Sequence, residues 1–148
     1  MLACLLHDVG RFAVDPALVM DRKEGSIAVG VAARGHHDLG AELVAPYVPA
    51  RVAWLVGMHA AAKRYLCATE PGYFDALTPA SRHTLGLQGG FMRPDEVGAL
   101  SGHPWLEAAL TLRRWDDQAK VPGRPTRPLR AWEPVLRSHF TAPRGSAA

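Results

Sequence analysis

The chain has 148 residues, 48% of them apolar and 21% charged, with a formal net charge of +3. That length suits one domain with a substantial core, and the lack of any run of 18 or more apolar residues excludes a helical membrane span. Two cysteines, Cys4 and Cys67, fit reduced thiols in a cytoplasmic protein better than a disulfide framework, and the lack of a partner at CxxC spacing argues against a thiolate metal site.

In chain order, the apolar run Met1 to Leu6 predicts a short helix that ends in His7-Asp8, just before Gly10. It has no basic segment or cleavage site of the kind a signal peptide carries. It also lacks an N-cap residue or a preceding element, which fits either a short opening helix or a missing upstream piece. Adjacent helical residues project about 100° apart, so His7 and Asp8 cannot both chelate one ion from the same direction. They suit a shared centre in which the carboxylate spans two metals. Arg11 to Gly35 has weak periodicity and reads as a long loop with one helical turn, of the kind that covers sites.

His36 to Val44 is apolar at helical spacing and is stopped by Pro46. Pro49 stands at the start of a strong helix from Ala50 to Leu66, on which Val52, Leu55, Val56 and His59 share a face. Glu70-Pro71-Gly72 breaks the chain, and Pro79 opens a short helix to about Leu85. Gln88-Gly89-Gly90 is a turn, and Pro94-Asp95-Glu96 starts another short helix. Pro104 opens the last strong helix, which runs to about Lys120 before Val121-Pro122-Gly123 ends it; Trp132 to Phe140 adds one more. No segment alternates with period two between hairpin turns. The expectation is an all-α helical bundle forming a single domain over residues 1–123, followed by a Pro- and Arg-rich tail over 124–148. The arginines of that tail (Arg124, Arg127, Arg130, Arg137, Arg144) are dispersed among prolines, with no recognition-helix or aromatic-interleaved pattern. An anionic small molecule explains cations beside ligand-type residues more economically than nucleic acid does.

His7, Asp8, His36, His59 and Asp116 come from four separate predicted helices and are all imidazole or carboxylate, a set that suits iron, manganese, zinc or copper. Taken singly, each histidine has an ordinary reading as a satisfied core residue. Lys63 follows His59 by four residues, Arg113 precedes Asp116 by three and Lys120 follows it by four, so each cation shares a helical face with a candidate ligand. Such a pattern suits an anion that chelates metal while the protein neutralises its remaining charge; the plain alternative is a solvated face or an ion pair.

The blocks LLHDVG, HHDLGAELV, HAAAKRYLCATEPGYFDALTPASRHTLGLQGG and LRRWDDQAKVPG, spread over about Leu2 to Gly123, resemble the HD-domain superfamily. Within it they resemble the phosphonate-catabolism oxygenases of the PhnZ and TmpB type, relatives of myo-inositol oxygenase. The resemblance implies a mixed Fe(II)/Fe(III) pair that cleaves the C–P bond of a 1-hydroxyphosphonate with O2, giving a carboxylate and phosphate. It makes Asp8 the bridge between the irons and His36, followed by Gly40-Ala41, the next ligand; His37 takes a position usually held by an acid. His59 and Asp116 complete the set, Asp116 being preferred to Asp117 for its spacing to Lys120. Lys63, Ser81, Gln88 and Arg113 fall where such enzymes hold the phosphonate oxygens. Arg11 stands where relatives usually carry a substrate-facing His. Those relatives also take a His ligand from a helix upstream of the HD pair, so this chain is expected to lack that helix and, in its 148-residue form, to be poorly soluble or inactive. A metal-dependent HD phosphohydrolase and a non-catalytic remnant are the alternative readings. Oligomeric state is left open by the sequence.

Overall fold

A computed structural model describes residues 1–12 and 35–140. Most of the loop expected between Arg11 and Gly35 lies outside the described residues. All regular structure among those described is helical, as the periodicity predicts: α1 (Leu2–Leu6), α2 (His36–Val44), α3 (Ala50–Thr69), α4 (Tyr73–Ala76), α5 (Pro79–Leu87), α6 (Pro94–Ser101), α7 (Leu106–Ala119) and α8 (Glu133–His139), with 3-10 turns at Val9–Arg11 and Leu129–Trp132.

The boundaries follow from local chemistry. Thr78 caps α5 by accepting from the Ser81 backbone nitrogen at 3.2 Å, and Pro79 fills the first helical position, where no N–H is needed. α6 begins at Pro94, and the Glu96 carboxylate accepts from the backbone nitrogen of Arg93, the N-cap residue, at 2.9 Å. α3 runs past the expected end at Leu66, because the Glu70 nitrogen still reaches the Leu66 carbonyl at 2.9 Å. The last strong helix begins at Leu106, not at Pro104; the Leu106 nitrogen instead closes a turn onto the His103 carbonyl at 3.0 Å. The four-residue α4 was not anticipated. It follows Gly72, whose φ of +78° is available to glycine at little cost.

The described residues form two compact units, one within 1–57 and 122–148 and one of residues 58–121, with α3 contributing to both. In the first, the 3-10 turn at Val9–Arg11 lies directly on α2. A Cβ on Gly10 would collide with the His36 carbonyl oxygen and lie 2.5 Å from the Gly40 nitrogen, so this approach requires glycine. Gly40 reciprocates: its own Cβ would lie 3.1 Å from the Gly10 nitrogen. The C-terminal segment is part of the same unit, where α8 packs on α1 and the Phe140 ring lies 6.4 Å from that of Tyr47. In the second unit, Cys67, Leu77 and Leu85 are buried together, with Tyr73 and Phe74 packed against them. Along α3, Val56, His59, Ala60, Lys63, Leu66 and Cys67 are all buried. Their spacing of three and four residues defines its inner face.

Candidate functional site

The HD pair is placed by the glycine contact just described. His7 caps the end of α1, and its Nδ1 lies 2.7 Å from the Cys4 carbonyl oxygen. That bond assigns the proton to Nδ1 and leaves Nε2 as the ligand-type atom. Asp8 follows, with Oδ1 3.1 Å from His36 Nε2 and 3.2 Å from Arg11 Nε, and Oδ2 3.8 Å from His7 Nε2. The hydrogen bond from His36, opposed by burial and assisted by the charges of His7 and Arg11, holds the Asp8 carboxyl well below the usual carboxylate range. Asp8 therefore meets a cation already ionised. Of the neighbouring histidines, it is His36 that reaches Asp8, whereas His37 Nε2 lies 3.6 Å from Asp38. His59 on α3 is 4% exposed. Asp8, His36 and His59 each offer one ligand atom, and these atoms all lie within 4.8 Å of one another. Two imidazoles and a carboxylate match the donor preferences of iron, manganese or zinc.

One turn after His59 on the same helix is Lys63, only 2% exposed. Its Nζ donates to the Ser81 carbonyl at 3.2 Å and to Thr84 Oγ1 at 2.8 Å, both on α5. An ammonium has three donors. One therefore has no acceptor among the described residues, and none of their carboxylates pairs with the ammonium directly; Asp117, already bound to Arg113, favours its charge only weakly. Burial, with the charges of Arg113 and Lys120, lowers its pKa from 10.5 to about 8. Ser81 is 6% exposed; its hydroxyl accepts from Thr78 Oγ1 at 3.1 Å, which leaves its own hydrogen for another acceptor. Gln88, seven residues on and so in line with the same face of α5 as its C-cap, has its Oε1 buried without a hydrogen-bond partner among the described residues.

Arg113, 4% exposed, is committed differently. It donates to Asp116 Oδ2 at 2.7 Å, to Tyr73 Oη at 3.1 Å, and to both carboxylate oxygens of Asp117, with Oδ2 at 3.1 Å. Tyr73 closes the network by donating to Asp117 Oδ2 at 2.6 Å. Burial works against the guanidinium charge, but Tyr73, Asp117 and Asp116 outweigh it and hold its pKa above the ordinary arginine value. Burial and the bond to Asp117 likewise push the Tyr73 phenol up. Lys120 completes the cluster, 2.8 Å from Asp116 Oδ2 and 3.4 Å from Asp117 Oδ1. Within this group two cations are matched by two carboxylates, and Lys63 is the surplus charge. Sequence reasoning missed Thr84 and Tyr73, and it weighed Asp117 only as a rival ligand to Asp116, not as the partner of Arg113. Thr84 was within reach, one turn after Ser81; nothing in the sequence tied Tyr73 to α7.

These features define a helical protein with an imidazole–carboxylate group suited to a metal and a buried lysine suited to an anion. No family model matches the chain. It is 38% identical over 121 residues to hydroxymethylphosphonate dioxygenase of Gimesia maris, a match that covers 82% of this chain and 57% of the relative. It is also 38% identical over 121 residues to the glycine-betaine-forming [1-hydroxy-2-(trimethylamino)ethyl]phosphonate dioxygenase of Leisingera caerulea, covering 81% of this chain and 58% of that protein. The chain thus spans less than two thirds of the length of the curated relatives it matches.

Proposed function

We propose that this chain is the HD-domain part of a hydroxyphosphonate dioxygenase that cleaves the C–P bond of a 1-hydroxyphosphonate with O2. One O2 balances the reaction: R–CH(OH)–PO3 dianion becomes a carboxylate and hydrogen phosphate, with release of one proton. The substrate class is that of hydroxymethylphosphonate or of 1-hydroxy-2-aminoethylphosphonate and its trimethylammonio analogue. The observation that carries the reading is Lys63, a buried ammonium that, among the described residues, has one donor uncommitted and no carboxylate paired to it directly, on the helix that also bears His59. A buried charge without a counterion is costly, and a phosphonate oxygen supplies the missing partner.

The donor set fits iron. Asp8, His36 and His59 would hold one ion, and His7, Asp8 and Asp116 a second, as a mixed Fe(II)/Fe(III) pair in a cytoplasmic enzyme. When bound, iron supplies the O2 and redox chemistry that no side chain here provides. The chain's own residues do the rest. Lys63 and the Ser81 hydroxyl donate to phosphonate oxygens, and the buried end of the Gln88 amide faces the same ligand. Arg113 and Lys120 fix the carboxylate of Asp116, and Arg11 does so for Asp8. The apolar burial of Val56 and Leu66 keeps water from the inner face of α3. Holding the headgroup in one orientation makes the reaction effectively intramolecular.

The test is phosphate release from hydroxymethylphosphonate and from [1-hydroxy-2-(trimethylamino)ethyl]phosphonate by the iron-reconstituted chain, under air and under nitrogen. Release that requires O2 supports the reading. Equal release under nitrogen would replace it with hydrolysis by an HD phosphohydrolase, and a chain that retains no iron and releases no phosphate would leave a non-catalytic remnant.

A further inference from the structure

Gln88 has a feature that its position in a turn does not explain. Its Oε1 is buried and has no donor among the described residues, although burying an amide end without a partner is unfavourable. Turned by 180°, the same amide would present an equally unpartnered N–H pair to an oxyanion. Holding it there requires a rigid backbone, and the turn is built for that. Gln88 is the C-cap of α5, and a paired closure follows it, with the Gly90 nitrogen on the Leu85 carbonyl at 2.9 Å and the Gly89 nitrogen on the Gly86 carbonyl at 3.2 Å. Gly89 and Gly90 have φ of +97° and +71°, which only glycine adopts easily.

Arg64 fastens this turn from outside. Its Nε donates to the Gly90 carbonyl at 3.0 Å, and its backbone carbonyl accepts from the Met92 nitrogen at 3.2 Å, so one residue grips the turn at two points. Its Nη2 donates to both carboxylate oxygens of Glu96, at 3.0 and 2.8 Å. Glu96 is in turn tied down by the Arg93 backbone nitrogen at 2.9 Å. The Arg64 guanidinium also lies under Gly89, 3.7 Å from where a Cβ would stand, so the turn has a floor. Arg64 directly follows Lys63 on α3 and leaves the helix about 100° away from it. One helix thus carries the anion-binding lysine and, on its next residue, the strap for the turn that carries Gln88.

We propose that Arg64 and Glu96 are positioning residues for substrate recognition, acting through the Gln88-Gly89-Gly90 turn to hold the Gln88 amide towards the phosphonate. The inference rests on the reading that this chain binds a hydroxyphosphonate. Its test is the dissociation constant of hydroxymethylphosphonate, measured by calorimetry under nitrogen on the full 148-residue chain reconstituted with ferrous iron. Arg64→Gln, Glu96→Gln, Gln88→Ala and the double variant Gln88→Ala/Arg64→Gln are compared with the parent. Gln88→Ala is expected to weaken binding about tenfold, as for one hydrogen bond to a charged ligand. Arg64→Gln and Glu96→Gln are expected to weaken it several-fold, and the double variant to match Gln88→Ala within about twofold, because both changes remove the same contact. Glu96→Gln keeps an amide that still accepts from Arg64, so it reports even if Arg64→Gln does not fold. A double variant that multiplies the single effects, or strap variants that bind like the parent, would overturn the inference and make the ion pair structural. A parent chain that does not bind the phosphonate would instead overturn the functional reading, and full-strength binding by Gln88→Ala would remove Gln88 from the site.

Discussion

Lys63→Met should make the protein more stable and bind phosphonate worse. Methionine keeps the length and apolar stem of lysine but brings no charge to a position that is 2% exposed. Lowering the ammonium pKa from 10.5 to about 8 means that its charged form is disfavoured by about 3 kcal/mol in the folded, ligand-free protein at neutral pH. Against that, methionine leaves the Ser81 carbonyl and Thr84 Oγ1 without their donor; a lost partner costs roughly 1–3 kcal/mol where the acceptor stays buried. Thr84 Oγ1 still bonds to the Ser81 carbonyl at 3.1 Å, which offsets part of that loss. The net expectation is a gain of about 1 kcal/mol in urea unfolding, together with at least a tenfold loss of hydroxymethylphosphonate affinity by calorimetry. The pH dependence has a definite sign. Between about pH 8 and 10.5 the unfolded chain still binds the lysine proton while the folded one has released it, so stability rises with pH across that window. Phosphonate affinity falls over the same window, because the bound anion needs the charged form. Both slopes should vanish in Lys63→Met. A variant that is less stable than the parent, yet binds phosphonate equally well with the same pH dependence, would refute the assignment of Lys63 as the uncompensated cation.

Gly10→Ala should remove iron from the protein, since the added methyl group collides with the His36 carbonyl and forces the Val9–Arg11 turn, and Asp8 with it, off α2; overpacking of this kind costs about 1–3 kcal/mol or more, and metal content by mass spectrometry reads it. His36→Ala should likewise cut iron content, whereas His37→Ala, whose ring lies by Asp38, should leave most of it in place; equal losses would erase the distinction between the two histidines. Tyr73→Phe deletes a hydroxyl that bonds both Arg113 and Asp117, and should lower stability by about 1–2 kcal/mol in urea unfolding.

The helices were legible in the sequence because each depends on short-range signals. Pro79, Pro94 and the apolar spacing of α3 mark where hydrogen-bonded turns can begin and which face they bury. Apart from the short α4, which was missed, the errors were at the edges, as at Leu106, where a histidine carbonyl rather than Pro104 sets the first turn. The candidate ligand types were legible for the same reason, since imidazole and carboxylate at helix edges advertise their chemistry in one dimension.

What the sequence could not decide was which charges are already spent. Lys63, Arg113 and Lys120 look equivalent on paper, each one turn from a candidate ligand. In the fold, Arg113 and Lys120 are held by Asp116 and Asp117, while the acceptors of Lys63 among the described residues are neutral oxygens. That difference depends on contacts between helices that lie many residues apart, Tyr73 to Asp117 and Lys63 to Thr84 among them. The identity of the groups was therefore fixed by the sequence itself. Their state, whether paired or awaiting an anion, follows from tertiary packing, because burial and partner distance set the energy of a charge.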